Sequence, residues 1–535
     1  MQPLMTRFRF AILVTIVGSL VLTAATPVLF AQGTQYAKGA VYHDRNGNQK
    51  RDPSEPGIPG VRVSNGRDVV QTDARGVYRL PVDDDTILFV IKPRGWRTPL
   101  NQDNLARFYY IHKPKGSPPL KYAGIAPTGS LPDSVDFALY PRQEPDRFKV
   151  VVFGDIQART RQEVNYFAHD VVPELVGTEA AFSVHLGDGA FDDPSVFPAL
   201  NRAIARIGIP WYNAPGNHDE NYDVPSDGLA LETFRSVYGP PYYSFEYGRV
   251  HFVVLDSTIY FGAKPESPRG EYIEGIDPKQ MEWLRNDLAL VPGGQLVVLL
   301  LHSPIVGVGE KVPFRNLPEL FRIIEKHRGF SISAHRHFQG GRFITKEDGW
   351  EGPESHYHLV QATTCGSWWR GFPDPVGIPP GTMSDGTPKG YSIVSFDGPN
   401  YSVRYKVSRR PADYQMNIFA PDEVKAAEMA NQEVLVNVFA GTDRSMVQLR
   451  LNDGPWVPME RVEREDPYLL SAKKAEANWN QELSKRYALP KPRLSSHVWR
   501  VKLPQNAPKG THLIHVRTTD RFGQTFESYR VITVS

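Results

Sequence analysis

Cysteine is nearly absent: the 535 residues hold one, Cys365. A single thiol cannot form an internal disulfide, so the fold depends on packing. Any bound metal must be held by His, Asp, Asn or similar ligands rather than by a cysteine cluster. Net charge is nearly absent too. Lys and Arg number 61 against 59 Asp and Glu, a formal +2, which argues against a nucleic-acid or polyanion binder. Internal repeats and low-complexity tracts are missing. Long apolar runs are missing except at the N-terminus. There Arg7 and Arg9 precede an apolar stretch over 10–22, and Ala24, Ala25 and Ala31 follow. A basic start, an apolar middle and a small-residue exit read as a secretory signal over residues 1–31, which predicts a periplasmic or extracellular protein. A retained membrane anchor is the alternative, because apolar character continues through Phe30.

What is present points to several domains. A chain of this length exceeds what one core usually organises, and Gly 44 with Pro 46 supplies many turns. Residues 34–142 show short apolar alternations such as Val61-Arg62-Val63, broken by turn pairs such as Asn65-Gly66 and Arg75-Gly76, which predicts a β-sandwich. Over 148–406, continuous apolar runs at 149–153, 250–255 and 296–301 alternate with helix-like segments at 161–172, 198–207, 278–290 and 316–327. That texture predicts a layered α/β domain, a β-sandwich core with helices on its outer faces. Residues 411–535 return to β texture, with a polar helical insertion over 471–487.

Five short segments concentrate ligand-type side chains: Gly154-Asp155-Ile156-Gln157, Gly187-Asp188-Gly189, Gly216-Asn217-His218-Asp219, His302-Ser303 and Ala334-His335-Arg336-His337. Hydrolysis of a phosphate ester calls for such a set. Two divalent cations about 3.5–4 Å apart neutralise the phosphate and activate water. A bridging carboxylate holds them together, His nitrogens and carboxylate or amide oxygens complete their shells, and an acid serves the leaving oxygen. Gly154, Gly187 and Gly216 suit tight turns at strand ends. Each segment alone is weak, and the five in this order are specific.

With these motifs the chain resembles the calcineurin-like metallophosphoesterases over 148–406, and its flanks resemble the N- and C-terminal β domains of exported multi-domain members. The resemblance implies that Asp155, Gln157 and His337 ligate a first metal, that Asp188 bridges, and that Asn217, His302 and His335 ligate a second. It implies that His218 is the acid, with Asp219 placed to orient it. Gln157 departs from the family's usual His; an amide oxygen is a weaker donor, which predicts a first site tolerant of manganese or magnesium. Mn, Fe, Zn and Mg all remain open. Ala334 replaces a Gly, which matters only if that position needs positive φ.

Secondary signals carry alternatives. Asp44, Asn46, Asn48, Asp52 and Glu55 match an EF-hand-like calcium loop, or a polar turn whose side chains bond their own backbone. Trp368, Trp369, Arg370 and Phe372 lie in a long irregular stretch that either borders the site, with Arg370 reaching phosphate, or plugs a domain junction. His185 is expected to be structural on its strand and His251 to lie in the core, His356 and His358 share one side of a strand and are not expected to be ligands, and Asp192 and Asp193 are expected in a solvated turn. The predicted function is metal-dependent hydrolysis of a phosphomonoester or phosphodiester, a small molecule or envelope component, by a two-metal-activated water. A catalytically degenerate binding module and a nuclease are the alternatives.

Overall fold

The computed structural model describes residues 34–309, 311–504 and 507–535; the expected secretory signal over 1–31 lies outside them. At the centre two sheets face each other. The first runs in the order Trp211–Asn213, Phe182–His185, Arg147–Phe153, Gly390–Asp397, Asn400–Val407, the first three parallel and the last two antiparallel. The second runs Tyr243–Tyr247, Val250–Leu255, Leu296–Leu301, Gly329–Ser333, His356–Val360, Gly340–Ile344, parallel inside and antiparallel at both edges.

The two-residue period of a strand sorts the first sheet's side chains. Val150 and Val152 join the cluster between the sheets with Phe182, Val184, Phe252 and Val254. Val151 and Phe153 join a separate cluster with Val164 and Phe167 of the helix Arg161–Asp170 and Leu200 and Ile204 of the helix Phe197–Ala205. With helices outside and a second sheet inside, both faces are covered. All six residues of Leu296–Leu301 are therefore buried, as a run with no polar interruption requires. The helices begin where capping chemistry allows. The Thr160 side chain accepts from Glu163 N, and Asp277 accepts from Lys279 N and Gln280 N ahead of Pro278. The α/β class expected from the sequence is the class that forms.

Two β regions flank this core. The N-terminal one has two four-stranded sheets, and the C-terminal one a four-stranded and a five-stranded sheet, with the helices Pro467–Glu476 and Gln481–Tyr487 inserted. Buried polar contacts tie both to the centre. Lys92 pairs with Glu144 at 2.7 Å, and the same carboxylate accepts from Gly95 N and from Gly248 N of the core. On the other side Asp385 accepts from Gln339 N and from His497, whose second ring nitrogen meets Asn437.

The loop from Asp44 to Glu55 closes on itself. Asp44 accepts from Gly47 N, Gln49 N and the Tyr140 hydroxyl. Asn46 and Asn48 donate to Asp52, and Glu55 accepts from Arg45 N and Asp52 N. The side chains are engaged as in the polar-turn reading, and the calcium reading gains no support from them. Among the described residues, no helix is long and apolar enough to cross a membrane.

Candidate functional site

Loops at the carboxyl ends of the parallel strands from both sheets meet at one point. Their backbone is unusual. Gln157, Asp188, His335 and His337 adopt φ of 46°, 55°, 69° and 49°, the left-handed region that costs a non-glycine residue about 1 kcal/mol or more. Ala334 is not among the positive-φ residues, so the missing Gly there is without consequence. Gly216 has a different role: a Cβ on it would lie 2.3 Å from Asp188 Oδ1. Only glycine lets the 216–219 turn approach that carboxylate.

The acceptors converge. His302 Nδ1 lies 2.8 Å from Leu186 O, which can only accept, so Nδ1 carries a proton, and Nε2 presents a lone pair whenever the ring is neutral. That lone pair faces Asn217 Oδ1 at 3.0 Å, Asp188 Oδ2 at 3.3 Å and His335 Nδ1 at 3.0 Å. His335 Nε2 is taken by Glu274 Oε1 at 3.3 Å, so its Nδ1 is unprotonated too. Asp188, His302 and His335 thus form a group that could hold a metal ion. Beside it, His337 Nδ1 donates to Gly366 O at 2.6 Å, and its Nε2 faces Asp155 Oδ2 at 3.2 Å. Asp155 Oδ1 accepts from His335 N, and Asp188 Oδ1 accepts from His218 N at 2.8 Å. Acceptors pointed at one another repel unless a proton or a metal cation lies among them. The residues present therefore fit a metal centre.

The same acceptors attract a proton: burial lowers the His302 imidazole, but Asp188 and Asp155 outweigh it and hold the group up at about 9, so a metal ion would bind there in exchange for the Nε2 proton. Burial raises the Asp188 carboxyl, yet His302 and His218 carry it below the ordinary range.

Two placements differ from expectation. Gln157 sends Nε2 to Asp188 Oδ2 at 3.0 Å, and its Oε1 faces Cys365 Sγ at 3.7 Å. Its carbonyl becomes a ligand only if the amide turns over, which a cation beside Asp188 would favour. Asp219 does not orient His218. Its carboxylate accepts from Ala190 N and Gly216 N and fastens the two turns together; burial and Asp188 push it up to about 7. The partner of His218 is Asp192, 2.6 Å from Nδ1, where a solvated turn was expected. Arg269 Nη2 touches both, at 2.8 Å from Asp192 and 3.1 Å from His218 Nδ1, and Phe191 stacks on the imidazole at 4.2 Å. Asp192, Arg269, Glu274 and Cys365 were missed by sequence reasoning. Only Asp192, four residues past Asp188, left a signal.

The aromatic stretch does border the site. Trp368 stacks on His337 at 4.2 Å, and Trp369 is buried with Nε1 on Ile156 O. Cys365 N donates to Asp155 O. His251 lies in the core as expected and meets Asp287 at 2.8 Å, and His356 and His358 are buried too, against Ser331.

Comparison with known families settles the class. Residues 45–121 match the N terminal of calcineurin-like phosphoesterase, 148–339 the calcineurin-like phosphoesterase region itself, and 358–526 its C terminal. The chain belongs to the calcineurin-like phosphoesterases. As a member it is a phosphoester hydrolase, and the family implies a metal-dependent reaction. No curated protein matches the sequence. Among solved structures, purple acid phosphatase PPD1 from yellow lupin (Lupinus luteus) seeds is 13% identical, over 65% of this chain and 67% of that one, with a TM-score of 0.35.

Proposed function

We propose that this calcineurin-like phosphoesterase hydrolyses a phosphomonoester or phosphodiester with two divalent cations. Asp155 and His337 would hold the first, with Gln157 after its amide turns. Asn217, His302 and His335 would hold the second, and Asp188 would lie between. The observation that carries this reading is the pair of imidazole nitrogens, His302 Nε2 and His335 Nδ1, facing each other at 3.0 Å beside the Asp188 carboxylate, with both other ring nitrogens occupied. Once bound, the cations neutralise the phosphate and supply a nucleophilic water at neutral pH. The protein's own part follows from the contacts. Asp192 fixes the His218 ring through Nδ1, which leaves Nε2 to hand a proton to the leaving oxygen. Asp219 keeps the 188 and 216 turns in register, and Glu274 holds the His335 tautomer. The weak amide donor at Gln157 favours manganese or magnesium in the first position. Export rests on the sequence pattern of residues 1–31 alone; N-terminal sequencing of the mature protein tests it.

The decisive experiment pairs metal analysis with turnover of 4-nitrophenyl and bis-4-nitrophenyl phosphate. His218→Ala is expected to keep its metal and lose roughly two or more orders of magnitude in kcat. Asp188→Asn is expected to lose metal and activity together. Full metal in the purified Asp188→Asn protein would refute the bridging role.

A further inference from the structure

The mouth of the site carries two cations that this chemistry does not use. Arg159 lies two residues past Gln157, with its guanidinium 4.6 Å over the Phe191 ring, which itself stacks on His218. Arg370 lies 5.6 Å over the Trp368 ring, which stacks on His337. Each guanidinium is thus one aromatic ring away from a histidine of the site, Arg159 beside the acid and Arg370 beside the first cation's ligand. The two are electrostatically coupled: burial first, then Arg159, holds Arg370 below its ordinary value.

Their counter-charges do not balance. Arg159 has Glu163 at 3.6 Å. Among the described residues, no carboxylate pairs with Arg370. The Trp368 Nε1 beside it is buried and has no acceptor among the described residues. Two guanidinium groups that repel each other, one of them without a carboxylate, are stabilised when an anion is drawn in beside them. Guanidinium forks suit phosphate oxygens in particular. Just beyond Arg370, Phe372 is 60% exposed and meets Trp479 and Tyr487 edge-on, an apolar shelf contributed partly by the C-terminal helical insertion.

We propose that Arg159 and Arg370 form a second anion subsite, which takes the second phosphate of a substrate carrying two adjacent phosphoryl groups, a pyrophosphate-type ester. This rests on the hydrolase reading above and adds the substrate class to it. The organic remainder lies along Phe372, Trp479 and Tyr487.

Titration calorimetry at fixed free manganese compares imidodiphosphate, a pyrophosphate analogue with a P–N–P link, with inorganic phosphate. The wild-type protein is expected to bind imidodiphosphate at least about tenfold more tightly than phosphate. In Arg159→Ala and in Arg370→Ala that ratio is expected to fall to within about threefold of unity, and Arg370→Lys to lie between. A wild-type ratio near unity, or a ratio unchanged in both alanine variants, overturns the subsite. Turnover of 4-nitrophenyl phosphate by the wild type scores the hydrolase reading separately. A protein that shows the binding ratio but no turnover keeps the subsite and loses the hydrolase reading.

Discussion

At the scale of single residues, the site is built on short contacts that tolerate no added atom and no lost partner. Gly216→Ala would drive a methyl group against Asp188 Oδ1, so the carboxylate has to move. A shift near 1 Å in a reacting constellation typically costs about 10²-fold. The expected result is a fall of that order in kcat/KM, measured on 4-nitrophenyl phosphate, with reduced metal content. Asp192→Asn removes the carboxylate 2.6 Å from His218 Nδ1. The expected loss is about 10–100-fold in kcat, the usual scale for a residue that orients a reactive imidazole. Metal content should be unchanged, which separates the Asp192 effect from that of the ligands. If Asp219→Asn alters the pH profile of kcat more than Asp192→Asn does, the assignment of the orienting role to Asp192 fails.

At the scale of elements, the strands were legible because burial on both faces writes itself as unbroken apolar sequence; Leu296–Leu301 is the plainest case. The four core helices read from the sequence form within a few residues of the expected bounds, two of them capped by Thr160 and Asp277, while Glu232–Tyr238 was not read. What could not be read was long-range pairing. Gly390–Asp397 lies over two hundred residues from its neighbour Arg147–Phe153, and nothing local specifies that union. Glu274 and Arg269 were invisible for the same reason: they arrive on the hairpin of Thr258–Tyr260 and Tyr272–Glu274, whose approach to the site depends on tertiary packing. Asp192 was misread because an acidic pair in a turn is usually solvated, and only the fold places an imidazole against it. The strand His356–Val360 carries a prediction of its own. Burial holds His356 and His358 down at about 3, below the ordinary histidine value near 6.5. The unfolded chain therefore binds protons that the folded chain does not. Their contribution to stability is complete above about pH 6.5 and declines as pH falls toward the folded value, by roughly 1.4 kcal/mol per pH unit for each histidine. Urea unfolding between pH 6.5 and 5 should show this slope, and His358→Gln should make it shallower.

At the scale of the whole molecule, the three regions are joined through buried charge. Glu144 binds Lys92 and two backbone amides, one on each side of the N-terminal junction. Lys92→Met would leave that carboxylate buried without its counter-ion, held by the two amides alone, at a cost of up to about 3–5 kcal/mol. A correspondingly lower urea midpoint in the full-length chain is the expected result, and an unchanged midpoint would contradict it. One further property belongs to the entire chain. Its sole thiol, Cys365, is fully buried and lies beside Gln157, His337 and the backbone of Asp155. Thiol-selective alkylation can therefore label this protein at one side chain alone, and only when the packing around it opens. The pace of labelling becomes a stopwatch for breathing at the catalytic mouth, built in by nature and free of any engineered background.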